Sequence, residues 1–296
     1  MTNVAVIGSG TMGNGIAHVF AQYGYKVFLL DVSADALQKG LSTIEKNLTR
    51  QVEKEIITDE AKTRALQNIT IGTDLTAGVA DADLIVEAAT EDVELKLKIF
   101  QNVSLAASPS AILASNTSSI SITKIASVTQ HPDRVIGMHF MNPVPLMKLV
   151  EVIRGKDTSD DVTVQVMEIA RKLEKIPVEV NDAPGFVANR ILMPMINEAI
   201  YALHERVSGV EEIDTVMKLG MSHPMGPLQL ADFIGLDVCL SILNVLYVGF
   251  GTAKYSPCPL LVNMVQEGQL GVKTQQGFYA YQAGSKILTV APRFRR

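Results

Sequence analysis

Cysteine is nearly absent from this chain of 296 residues: there are two, Cys239 and Cys258. Neither has a close partner at metal-ligand spacing. They read as small apolar residues in a reducing compartment, and no metal site is expected. Long apolar runs are missing too, since none reaches membrane-spanning length. There is no excess of positive charge. The net charge is −5, so no nucleic-acid surface is expected. Met1 is followed almost at once by a strand-like run, which leaves no room for a targeting segment, and the expected location is the cytoplasm. Neither an internal repeat nor a low-complexity stretch is present. Apolar residues are plentiful at 47%, enough for a sizeable core without staples.

The densest information lies in the first thirty-one residues. Val4 to Ile7 is a short apolar run, followed by Gly8-Ser9-Gly10-Thr11-Met12-Gly13, a helical pattern to Tyr23, and a second apolar run, Val27 to Leu30, ending on Asp31. This order is strand, glycine turn, helix, strand, acid. Gly8 permits the turn, Gly10 lets a pyrophosphate approach the backbone, and Gly13 lets the helix lie close on the sheet. The helix start attracts the diphosphate through its N–H groups and dipole. Asp31 is placed to bind the ribose hydroxyls of an adenosine. It would repel a 2′-phosphate, so NAD is expected over NADP.

Further along, helical spacing predicts a helix from Ala34 towards Lys54, and others over 91–105 and 160–173. Strand-like runs fall at 68–72, 84–87, 111–114, 134–139, 148–153 and 178–180. This alternation predicts an α/β, Rossmann-type, doubly wound and mostly parallel sheet. The texture changes at Asp182-Ala183-Pro184-Gly185, beyond which the pattern is almost entirely helical. Two domains are expected, 1–183 for NAD and an all-α 184–296 for substrate and dimerisation. The helical part is apolar enough to suggest a homodimer. The last stretch, Gly284 to Arg296, reads as a loosely held tail.

Hydride chemistry on an alcohol needs a base, and His139 is the leading candidate because an imidazole titrates near neutral pH. It lies at a strand end, before a turn with Pro143 and Pro145. Glu151 follows within reach to orient the ring. Ser115-Asn116-Thr117-Ser118-Ser119 follows another strand end, where ligand contact and helix capping by Ser119 or Ser121 both fit. Asn189, in an otherwise apolar helix start, should pair internally or face a ligand. Glu87 and Glu91 flank Ala88-Ala89-Thr90 and are placed to line the nicotinamide side of the crevice. Arg50 and Lys54, four apart on a helix, read by themselves as a solvated basic face.

Together these motifs resemble the 3-hydroxyacyl-CoA dehydrogenase family, most of all its short bacterial 3-hydroxybutyryl-CoA members. The resemblance runs from Val4 to about Tyr281. It rests on the segments 8–13, 87–91, 115–119, His-Phe-Met-Asn-Pro-Val-Pro at 139–145, Asp-Ala-Pro-Gly-Phe at 182–186, His-Pro-Met-Gly-Pro at 223–227 and Gly-Val-Lys-Thr-Gln-Gln-Gly-Phe-Tyr at 271–279. It implies NAD-dependent oxidation of an (S)-3-hydroxyacyl-CoA, with 3-hydroxybutyryl-CoA the expected substrate, and the reverse reduction. His139 would be the acid/base and Glu151 its partner; Ser118 and Asn189 would hold the substrate oxygen. Gly8, Gly10, Gly13, Asp31, Glu91, Lys96, Asn116 and Asn142 would line the NAD site, and Arg50 and Lys54, with Ser118, would meet the acyl-CoA. The closing motif departs from the family, with Val272 for arginine and Gln275 for glycine. Two rival readings are a dehydrogenase of another small hydroxy acid or sugar acid, and a non-catalytic NAD(H)-binding protein. The Arg50–Lys54 pair argues against the first, and the full set Ser118, His139, Glu151 and Asn189 argues against the second.

Overall fold

The computed structural model describes residues 2–282, 284 and 287–295. The chain divides into two compact units, Met1–Ala183 and Pro184–Arg296.

The first unit begins with β1 (Asn3–Ile7), α1 (Thr11–Gln22) and β2 (Lys26–Leu30). Next come α2 (Ala34–Glu53), α3 (Asp59–Gln67), β3 (Ile69–Gly72) and α4 (Leu75–Val79). Then β4 (Leu84–Glu87), α5 (Val93–Ala106), β5 (Ile112–Ser115), α6 (Ile122–Ala126) and β6 (Val135–Phe140) follow. The unit ends with β7 (Leu149–Arg154), α7 (Asp160–Lys172) and β8 (Ile176–Asn181). The eight strands form one sheet in the order β3-β2-β1-β4-β5-β6-β7-β8. All neighbours run parallel except β6 and β7, which form an antiparallel pair. Strands β4, β5 and β6 are buried along their whole length. Their continuous apolar runs reflect helices on both faces of the sheet. In α2 the apolar stripe Leu37, Ile44 and Leu48 is buried, and Ser33 caps the start by accepting from the Ala36 N–H. The helices α3 and α4 were not expected from the sequence. Thr58 and Asp74 cap them.

The second unit holds α8 (Ala188–His204), α9 (Val210–Thr215), α10 (Pro227–Ile234), α11 (Leu236–Phe250) and α12 (Pro259–Gln266). Pro194 lies inside α8 without ending it. Met193, Ile196, Leu228, Leu243, Leu246 and Phe278 are among its core residues. Two buried carboxylates tie this unit together. Asp214 accepts from the Leu228 and Gln229 N–H groups at the start of α10 and from the Tyr279 hydroxyl. Asp232 accepts from the N–H groups of Phe278 and Tyr279 and from the Tyr281 hydroxyl. Burial pushes the Asp232 carboxyl up to about 6 despite these donors.

The C-terminal segment corrects the expectation of a loose tail. β9 (Tyr279–Ala280) pairs antiparallel with β10 (Thr289–Val290), so the unit is helical with one short ribbon. Ala291 is buried and its N–H reaches the Phe278 carbonyl at 3.0 Å. The Phe294 ring lies 5.8 Å from that of Phe278, and Arg293 pairs with Glu267 at 2.6 Å. The expected tail includes Ser285, Lys286 and Arg296 as well, and these lie outside the described residues. Gln275 adopts a left-handed conformation with φ 60°.

Candidate active site

Gly8 has φ +97°, a conformation that favours glycine. It turns the chain from β1 into α1. A Cβ on Gly13 would lie 1.7 Å from the Gly8 carbonyl oxygen, so only glycine lets the helix approach this closely. A Cβ on Gly10 would meet nothing within 4 Å, so the missing side chain leaves open space over the helix start. No side chain caps α1 there, and no acid stands in its first turn. This is an anion cradle of the kind a diphosphate fills. Asp31, one residue past β2, takes the Ser9 N–H (2.8 Å) and hydroxyl (2.7 Å) on one oxygen and the Ser33 N–H (3.1 Å) on the other. Burial raises its carboxyl, but these donors outweigh that and hold it below its usual value. Asp31 is therefore a firmly ionised acceptor beside the glycine turn, and the residues present fit NAD.

A cleft of about 320 Å³ opens at the carboxyl ends of β4 and β5. Met12, Ala89, Glu91, Lys96, Asn116 and Ser118 are among its lining residues. This is the crevice side of an open α/β sheet. Lys96 reaches it from α5, yet its ammonium is paired with the Glu87 carboxylate. Glu91 accepts from the Thr117 hydroxyl (2.7 Å) and the Ser118 N–H (2.6 Å). The Asn116 side-chain oxygen accepts from the Phe140 N–H at 2.9 Å, joining the end of β5 to the end of β6. Asn142 begins the turn after β6, at a cis peptide bond with Pro143.

The antiparallel register of β6 and β7 sets His139 directly opposite Glu151. Both are buried, and Nδ1 of the imidazole lies 2.9 Å from Oε2 of Glu151. A carboxylate only accepts hydrogen bonds, so Nδ1 carries the proton. In the neutral imidazole that puts the lone pair on Nε2, which faces Ser118, whose Oγ lies 3.1 Å away. The chain of Glu151, His139 and Ser118 joins a carboxylate, an oriented imidazole and a hydroxyl, the arrangement an acid/base site requires. Within the Ser/Thr cluster the roles separate. Ser115 is buried against Glu87, Ser118 meets the imidazole, and Ser121 caps α6 by accepting from the Lys124 N–H.

Three other predicted residues stand on other elements. Asn189 is the second residue of α8 in the helical unit, and it is buried. Arg50 is exposed in the last turn of α2, and Lys54 is the residue that closes the helix. Neither makes a salt bridge among the described residues. No cluster of three or more metal-ligating side chains occurs among the described residues.

Sequence reasoning missed Lys175. Its ammonium donates to the carbonyls of Val144 (2.6 Å) and Met147 (2.8 Å), clamping the double-proline turn that follows Asn142. Burial lowers this lysine below its usual value. It also missed how Glu87 is used. Glu87 turns inward from the cleft, and the signal was an acid closing an otherwise apolar strand.

The described residues contain no single helix long and apolar enough to cross a membrane; α10 and α11, bent by 97°, meet that length and composition only as a pair.

Comparisons with known proteins agree along the chain. Residues 3–183 match the NAD binding domain of 3-hydroxyacyl-CoA dehydrogenase, and 185–281 match that family's C-terminal domain. A 3-hydroxybutyryl-CoA dehydrogenase of Bradyrhizobium diazoefficiens is 56% identical over 97% of each chain. A probable 3-hydroxybutyryl-CoA dehydrogenase of Bacillus subtilis is 52% identical, over 94% of this chain and 97% of that one. The crystal structure of an (S)-3-hydroxybutyryl-CoA dehydrogenase from Ralstonia eutropha superposes with a TM-score of 0.93 at 48% identity, covering 95% of this chain and 99% of that one. The chain therefore belongs to the 3-hydroxyacyl-CoA dehydrogenase family, and is an NAD-dependent oxidoreductase acting on the CH–OH group of 3-hydroxyacyl-CoA thioesters.

Proposed function

We propose that the preferred substrate is (S)-3-hydroxybutyryl-CoA, interconverted with acetoacetyl-CoA, and that His139 is the acid/base. The observation that carries this reading is the chain Glu151–His139–Ser118, with contacts of 2.9 Å and 3.1 Å at the crevice end of β6. In the oxidative direction, Nε2 of His139 takes the proton of the substrate 3-hydroxyl. Glu151 stabilises the imidazolium that forms, and in reduction the same imidazolium returns the proton. Ser118 donates to the substrate oxygen as charge develops on it. Asn189 is the proposed second donor. NAD, held through Gly8, Gly10, Gly13 and Asp31 and by the cleft residues Glu91, Lys96, Asn116 and Asn142, supplies the hydride acceptor.

Arg50 and Lys54 are the proposed contacts for the CoA phosphates. Residues 1–183 serve the cofactor and 184–296 the substrate and self-association, in a cytoplasmic homodimer. The helical unit exposes Ile191, Leu219 and Val248, by 67%, 82% and 79%, which favours a self-contact. Sedimentation equilibrium checks this, and a monomer at micromolar concentration removes it.

The test of the central reading is His139→Ala. NADH binding stays intact and turnover of acetoacetyl-CoA falls by at least about a hundredfold, as expected for a lost general acid. Turnover comparable to the parent overturns the assignment.

A further inference from the structure

Glu87 closes β4 beside the cleft, and no step above uses it. Its side chain is only 2% exposed and that of Lys96 1%. Oε2 of Glu87 accepts from the Lys96 ammonium and from the Ser115 hydroxyl, the latter at 2.9 Å. Oε1 accepts from the N–H groups of Ala89 (2.9 Å) and Thr90 (3.4 Å). Ser115 Oγ in turn accepts from the Thr117 N–H at 3.2 Å. Thr117 and Ser118 are the residues that Glu91 holds, and Ser118 meets His139. Three stretches of the cleft wall thus converge on one buried carboxylate: the turn after β4, Lys96 of α5 and the turn after β5.

A buried ammonium without a counter-charge would repel a cation brought against it, and this repulsion is weakly screened by solvent. The two forms of the cofactor differ in this respect. The nicotinamide ring is cationic in NAD+ and neutral in NADH. We propose that Glu87 is a positioning residue that also sets the charge of the cleft: it cancels Lys96, so that the wall receives the cationic ring, while its other bonds hold the 88–90 and 115–118 turns in place. The proposal rests on the reading that the nicotinamide end of the cofactor occupies this cleft. A residue that serves only to hold the fold would weaken both forms of the cofactor alike. A charge-setting residue moves them apart, and the sign depends on which partner is removed.

The test is equilibrium binding of NAD+, NADH and ADP-ribose to the full-length protein. The chain contains no tryptophan, so NADH fluorescence is read directly, and calorimetry serves NAD+ and ADP-ribose. Glu87→Gln raises the Kd of NAD+ relative to that of NADH by about tenfold, the equivalent of one pK unit of charge interaction. Lys96→Met leaves the carboxylate alone and shifts the ratio the other way. The Glu87→Gln/Lys96→Met pair returns it to within about threefold of the parent, as expected when two charges act through each other. ADP-ribose, which lacks the nicotinamide, keeps its parental Kd throughout. A ratio unchanged in both single variants overturns the proposal, and so does a shift of the same sign in both. Ala89→Leu, which adds bulk inside the cleft, separates this failure from that of the underlying reading. It should weaken NADH and spare ADP-ribose. If it spares both, the nicotinamide is not in the cleft. If it discriminates while Glu87→Gln does not, the charge-setting role alone is wrong.

Discussion

Replacing Glu151 by glutamine isolates the charge behind the proposed base. The amide has almost the shape of the carboxylate, and its oxygen can still accept from Nδ1 of His139, so Nε2 still faces Ser118. What disappears is the negative charge facing the imidazolium. The contact is 2.9 Å between nitrogen and oxygen, which puts the charge centres about 4 Å apart. At the effective dielectric of about 20 that suits protein sites, two unit charges at that separation interact by about 4 kcal/mol. Full charge development in the transition state therefore corresponds to a loss of about a thousandfold in kcat, and half development to about thirtyfold. Steady-state reduction of acetoacetyl-CoA by NADH measures kcat, and NADH fluorescence titration measures binding. The expected result is a fall of kcat within that range, with the NADH Kd changed by less than about twofold. A kcat within about fivefold of the parent, with NADH binding intact, would refute the claim that Glu151 stabilises the imidazolium.

Three further outcomes are expected. Gly13→Ala puts a Cβ 1.7 Å from the Gly8 carbonyl oxygen, so the turn must open and NADH binding should weaken by at least about tenfold; a parental Kd would remove the cradle from the cofactor site. Lys54→Ala should raise the KM for acetoacetyl-CoA about fivefold and leave kcat unchanged, the size of one exposed charge contact; an unchanged KM returns Lys54 to a solvated face. Asp232, pushed up to about 6 by burial, binds its proton more tightly folded than unfolded. Its contribution to stability is then complete below the ordinary carboxylate value near 4 and is lost as pH rises through about 6. Thermal unfolding from pH 4 to 7 should show that decline, and Asp232→Asn should flatten it; an equal decline in the variant would place its origin elsewhere.

The sheet was legible because β1, β4, β5 and β6 carry continuous apolar runs and punctuated ends. Helices α3 and α4 escaped because they lack an apolar stripe of useful length: α3 buries only Ala65 and α4 spans Leu75–Val79. Their signals were the caps Thr58 and Asp74, which are weak in isolation. His139 and Glu151 could be nominated from type and position, but their antiparallel register could not. It depends on β7 and β8 running against the six strands before them, and sequence alternation does not report direction. The partners of Glu87, Glu91 and Lys175 were hidden for a related reason. Each is set by loops meeting at strand ends, where no periodicity exists. The tail was misread because basic residues near a terminus suggest solvent, whereas Ala291 and Phe294 anchor the segment on the helical unit.

The most direct test of the account is the initial rate of NADH oxidation with acetoacetyl-CoA, set beside the rates with NADPH and with free acetoacetate. The expected result is rapid turnover with NADH and the CoA thioester and little with either replacement, which joins the Asp31 cradle, the His139 base and the CoA contacts in one assay. NADH binding without turnover of acetoacetyl-CoA or longer 3-ketoacyl-CoA thioesters would contradict it.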